Sequence, residues 1–101
     1  MVLELLQEWY LQNCDGDWEH TYGLSIETLD NPGWRVKIDL TGTYLEIKHF
    51  ESIKIERSDN DWIHCWVKEN KFNGAGGPKN LQEILSKFLE WSRLEEMLED
   101  R

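Results

Sequence analysis

Leu24-Ser25-Ile26-Glu27-Thr28-Leu29-Asp30-Asn31-Pro32-Gly33-Trp34-Arg35-Val36-Lys37-Ile38-Asp39-Leu40 decides the fold class. Its first part, from Tyr22 to Leu29, alternates: Leu24 and Ile26 point one way, Ser25 and Glu27 the other. Asp30-Asn31-Pro32-Gly33 is a turn, because Pro presets φ at one central position and Gly accepts positive φ at the next. Trp34, Val36, Ile38 and Leu40 then share a face, with Arg35, Lys37 and Asp39 opposite. Two alternating runs around a tight turn predict an antiparallel hairpin.

Downstream, Thr41-Gly42-Thr43 breaks the pattern, and Tyr44 to Phe50 reads as a loop or a short strand. Ile53 and Ile55 alternate with Lys54 and Glu56 in a third strand. After the polar turn Ser58-Asp59-Asn60-Asp61, a fourth strand runs from Trp62 to Val67. Its two faces are Trp62, His64, Trp66 and Ile63, Cys65, Val67. Glu69-Asn70 turns the chain, Lys71 to Asn73 forms a short fifth strand, and Gly74-Ala75-Gly76-Gly77-Pro78 reads as a loop.

Both ends of the chain have helical periodicity. Leu3, Leu6 and Tyr10, with Val2, Leu5 and Trp9 beside them, predict a helix from about Val2 to Asn13. Asn80, with Glu83 three residues on, predicts a capping box opening a second helix. Its stripe is Leu81, Ile84, Leu85, Phe88 and Leu89, extended by Trp91, Leu94 and Leu98. Glu95, Glu96, Glu99 and Asp100 read as a solvated end. The expected architecture is α+β: an antiparallel β-meander of four to five strands flanked by an N-terminal and a C-terminal helix, in one domain spanning 1–101. Helices covering one sheet face leave the other free to bind.

Charge narrows the function. The net charge is −9, and residues 1–34 hold seven carboxylates (Glu4, Glu8, Asp15, Asp17, Glu19, Glu27, Asp30) and no Lys or Arg. That balance argues against nucleic acid as the ligand, because phosphate binding relies on Lys and Arg. It suits a basic protein partner steered by opposite potential. The two cysteines, Cys14 and Cys65, and the lack of a signal peptide or long apolar run suggest a cytoplasmic protein with reduced thiols and no membrane contact of its own.

The densest group of reactive side chains is Cys14-Asp15-Gly16-Asp17-Trp18-Glu19-His20. Asp15, Asp17 and Glu19 at alternate positions resemble the start of a calcium loop, but the later bidentate Glu and the central Gly are lacking. Cys14, His20, His64 and Cys65 make a conceivable zinc set, but His64 and Cys65 are adjacent on a strand and point to opposite faces. Acids beside Cys14 disfavour its thiolate as a nucleophile. The glycine-rich 74–78 segment lacks both phosphate-loop patterns. No cofactor is expected. Trp62, His64 and Trp66 on one strand face are candidate contacts, whereas Trp9 and Trp91 read as core. A purely structural reading of the acidic loop has Asp17 capping a turn and Trp18 plugging the end of the sheet.

Several blocks in order carry a family resemblance. They are Leu6-Gln7-Glu8-Trp9-Tyr10, Cys14 to His20, Thr28-Leu29-Asp30-Asn31-Pro32-Gly33-Trp34, Glu56-Arg57-Ser58 with Asp61-Trp62, and Gly74-Ala75-Gly76-Gly77-Pro78 with Asn80-Leu81. Together they resemble the immunity protein 53 family of bacterial polymorphic toxin systems. The resemblance implies a small α+β, non-catalytic protein that protects its producer by binding the C-terminal domain of a cognate toxin. With the charge map, it makes Asp15, Asp17, Glu19, Glu27 and Asp30 candidates to meet a basic toxin cleft. Trp18, Trp34, Trp62 and Trp66, with His64, are the candidate anchors. A monomer is expected. The competing function is a small metal-dependent enzyme built on the Cys14–His20 loop.

Overall fold

A computed structural model describes residues 1–99, with side chains described through Ser92. The side chains expected at Leu94, Leu98, Glu95, Glu96 and Glu99, and all of Asp100, lie outside that description. The elements are helices α1 (Val2–Asn13) and α2 (Trp18–Thr21), strands β1 (Leu24–Leu29), β2 (Gly33–Asp39), β3 (Ile53–Ser58), β4 (Asp61–Lys68) and β5 (Lys71–Gly76), and helix α3 (Leu81–Glu99). The α+β class is as the sequence predicts. Every strand pairing is antiparallel.

The sheet order is β1-β2-β5-β4-β3. The chain therefore builds a hairpin (β1-β2) and a three-stranded meander (β3-β4-β5), and joins them by pairing β2 with β5. One continuous meander would have put β3 beside β2. The connection from Leu40 to Ser52 decides the difference. It is irregular, not a strand, and it folds back over the core: Leu45 is fully buried, and the Tyr44 hydroxyl donates to the Ser92 carbonyl at 3.2 Å. The Trp91 indole N–H donates to the His49 carbonyl at 2.9 Å. Those contacts carry the chain past β2 and leave that edge for β5.

The last strand is longer than the sequence suggests, and it is central. Gly74, Ala75 and Gly76 are not loop but strand, paired on both sides with Val36, Arg35 and Trp34 and with Cys65, His64 and Ile63. Glycine in a strand marks a close approach. Here the approach is α3: a Cβ at Gly74 would overlap Cγ2 of Ile84, and one at Gly76 would meet Ile84 Cδ1 at 2.9 Å. The missing side chains let the helix sit down on the strands.

The core lies between the sheet and the two long helices. Val36, Ile38, Ile63, Cys65 and Phe72 come from the sheet, Leu6 and Trp9 from α1, and Ile84, Leu85, Phe88 and Trp91 from α3. Each fully buried aliphatic or aromatic side chain is worth roughly 1.5–3 kcal/mol, so this layer dominates stability. Trp9 packs edge-on against Phe88 (centroids 4.9 Å) and Trp18 (6.0 Å). Its buried indole N–H has no hydrogen-bond partner among the described residues.

The start of α3 is tied to the β3–β4 hairpin in a different way from a simple capping box. Asn80 Oδ1 accepts the Trp62 backbone N–H (3.2 Å), so it serves the strand and not the helix. Asn80 Nδ2 donates to Asp61 and Glu83, and Arg57 forks onto Glu83 at 2.6 and 3.2 Å while reaching Asp61 at 2.7 Å. Hydrogen bonds to Glu83 and Asp61 raise the Arg57 pKa further. Hydrogen bonds from Asn80 and Arg57 hold the Asp61 carboxyl below its ordinary value, and those from Arg57 and Asn80 do the same for Glu83.

Candidate partner-binding surfaces

The acidic loop closes on itself. The α1 end is finished by Asn13 Nδ2 and Cys14 Sγ, which donate to the Trp9 and Tyr10 carbonyls at 2.8 and 3.2 Å. Gly16 then turns the chain at φ +97, where a side chain would be strained. Asp15 Oδ1 accepts the backbone N–H groups of Asp17 and Trp18, both at 2.9 Å. Glu19 reaches back to accept those of Asp15 (3.0 Å) and Gly16 (2.9 Å). This is the reciprocal logic of a capping box, and it starts the one-turn helix α2. Backbone hydrogen bonds from Trp18 and Asp17 lower the Asp15 pKa. Those from Glu19 itself, Asp15 and Gly16 lower that of Glu19. Asp17 stands at the α2 N-cap but makes no side-chain capping bond.

Trp18 is inside. It is 6% exposed, its indole N–H donates to the Thr41 carbonyl at 2.8 Å, and it joins the core through Trp9. Replacing such a residue by Ala costs about 3–5 kcal/mol. Its place is structural, and the surface it was expected to anchor has no access to it. Trp34 is half-buried against the core, and its indole N–H donates to the Pro78 carbonyl at 3.0 Å. Asp30 is exposed in the β1–β2 turn.

Trp62, His64 and Trp66 share the sheet face turned away from the helices, because Ile63 and Cys65 are buried against α3. Their neighbours are mainly basic. Register puts Arg35, Ala75, His64 and Lys54 in one cross-sheet row and Lys37, Asn73 and Trp66 in the next. Lys71 and Lys68 follow beyond. Five cations on this face (Arg35, Lys37, Lys54, Lys68, Lys71) stand against three carboxylates (Glu27, Asp39, Glu56). The Arg35 guanidinium lies 4.9 Å from the Trp66 ring centroid and donates to Asn73 Oδ1 at 3.0 Å. Lys71 pairs with Asp39 at 2.6 Å. Glu27, although part of the acidic third, points to this face opposite Arg35.

The expected acidic-and-aromatic surface is therefore two surfaces. Asp15, Asp17 and Glu19 sit with the helices, while Trp62, His64 and Trp66 sit on the open sheet face. Cations on that face were readable one strand at a time from the alternation of Arg35 and Lys37, but the strand order was needed to gather them. Among the described residues, no group of three or more His, Cys, Asp or Glu side chains is placed to hold a metal ion. No described helix is long and apolar enough to cross a membrane.

A small α+β protein with a self-capped acidic loop and an uncovered sheet face is the class these features define. The family model described as immunity protein 53 matches residues 3–93, and the chain belongs to that family. No curated protein and no solved structure gives a significant match.

Proposed function

We propose that this immunity-family protein binds and neutralises, without catalysis, the toxin C-terminal domain encoded beside it. The observation that carries the reading is the family match over residues 3–93. The charge map supports a basic partner, since residues 1–34 hold seven carboxylates and no Lys or Arg. Asp15, Asp17 and Glu19 beside the helices present that charge, which can take the place of phosphate in a basic toxin cleft, while Asp30 adds to it from the β1–β2 turn and Glu27 from the open sheet face opposite Arg35. Asp15 and Glu19 also hold their own loop, so Asp17 is the group with charge to spare. Trp34, Trp62, His64 and Trp66 remain the aromatic contacts of the proposal. The site is cytoplasmic, where the toxin would act on its producer.

Titration calorimetry against the inactivated toxin domain tests this directly. Tight one-to-one binding that weakens with salt is the expected result. No binding at micromolar concentrations, with both proteins folded, would overturn it. Asp17→Ala should slow association by roughly two- to tenfold at low salt and leave thermal stability unchanged.

A further inference from the structure

The two edges of the sheet are built differently. The β3 edge is broken by a bulge between Glu56 and Ser58 and carries Lys54 and Arg57. Bulges and Lys are what proteins use to stop another strand from pairing. The β1 edge has neither. Its register with β2 is unbroken from Leu24 to Leu29, and it contains no Lys, Arg or Pro. No strand lies beyond it among the described residues.

Backbone direction at this edge can be read from one bond. The Asp39 N–H donates to the Gly23 carbonyl at 2.9 Å, so the polar groups of Gly23 face β2. Antiparallel pairing alternates along a strand. Ser25 and Glu27 therefore also face β2, and the N–H and C=O groups of Leu24, Ile26 and Thr28 point outward. Beside them an apolar groove of about 420 Å³ runs between α1 and the start of β1, lined by Leu6, Gln7, Tyr10, Tyr22, Gly23 and Leu24. Ile26, on the same strand face as Leu24, is 36% exposed, and Leu3 on α1 is 64% exposed.

Resting on the immunity reading, we infer that β1 is the docking edge: an extended, basic segment of the toxin domain adds to it as a sixth strand. Backbone groups of the segment pair with Leu24, Ile26 and Thr28. Apolar side chains at alternate positions enter the groove by Tyr10 and Leu24. Lys or Arg side chains on the other face stand opposite Glu27, where an opposite-charge cross-strand pair is favourable. The occupant is basic because the edge strand and its turn carry Glu27 and Asp30 and no Lys or Arg; Arg35 and Lys37, on the same face as Glu27, lie one strand further in, on β2.

Amide exchange by NMR on the ¹⁵N-labelled protein, alone and with the inactivated toxin domain, is the test. Alone, the amides of Ile26 and Thr28 should exchange much faster than those of Ser25 and Glu27. In the complex all four should be slow, the outward pair gaining about a hundredfold protection or more. Ile26→Lys should weaken binding by roughly tenfold or more. Binding with Ile26 and Thr28 exchanging as before overturns the docking edge and leaves the immunity reading intact. Absence of binding by the wild-type chain overturns both. A wild-type dimer that Ile26→Lys converts to monomer would assign the edge to a second copy and overturn the proposal.

Discussion

Cγ2 of Ile84 fills the space that a Cβ would take at Gly74, so α3 rests on the bare backbone of the central strand. Gly74→Ala should destabilise by about 1–3 kcal/mol, as overpacking does. In an Ile84→Ala background, itself costing about 2–5 kcal/mol, the same change should cost far less, because the obstructing methyl is gone. Urea denaturation of the four proteins measures the coupling. Strict additivity would show that the two residues do not compete for one space.

The acidic loop should lose its order in acid. Asp15 and Glu19 have folded pKa values below their ordinary 3.8 and 4.5, through backbone hydrogen bonds. A depressed carboxyl contributes stability that is complete above its unfolded pKa and lost as pH falls through the folded one. The loop should hold unchanged from neutrality to about pH 5 and open progressively below pH 4. The indole N–H resonance of Trp18, hydrogen-bonded to Thr41, reports it, and in Glu19→Gln the opening should lose much of its pH dependence. A Trp18 signal constant to pH 2 would contradict this account.

The two thiols should differ sharply in reactivity. Burial pushes the Cys65 thiol up to about 12, leaving almost no thiolate at neutral pH. Cys14 is partly exposed, with its Sγ on the Tyr10 carbonyl. A thiol reagent at pH 7.5 should label Cys14 alone in the folded protein and reach Cys65 only in denaturant. Mass spectrometry of the labelled protein decides it, and labelling of Cys65 at the rate of Cys14 would place that residue outside the core.

The β4–β5 turn carries removable strain. Glu69 and Asn70 both have positive φ, 54 and 60, as a two-residue hairpin turn of the mirror-image type requires. Glu is poorly suited to that conformation. Glu69→Asn with Asn70→Gly should stabilise by roughly 0.5–1 kcal/mol, raising Tm by a few degrees. A lower Tm would mean that Glu69 makes a contribution beyond turn geometry.

Local chemistry alone was enough for α1, for the existence of the β1–β2 hairpin, and for the split of β4 into two faces. The turn itself differs from its reading: Gly33 is the first residue of β2, paired with Leu29, its φ is not positive, and its missing side chain makes room for the Gly76 carbonyl instead. Helical and strand periods, and turn residues with constrained φ, are properties of neighbouring positions. The uneven charge between the first third and the rest is likewise written in the chain. What depended on distant residues was decided only in three dimensions. Gly74 to Gly76 read as a loop because one set of strand partners, Trp34 to Val36, lies far away in sequence, and because nothing local shows that Ile84 of the next helix needs their bare backbone. Trp18 could be a surface anchor or a plug until Trp9 and Thr41 were brought against it. The cations that surround Trp66, and the open edge at β1, exist only because β5 lies between β2 and β4, and that order was set by where Leu45 is buried and where the His49 carbonyl accepts the Trp91 indole N–H.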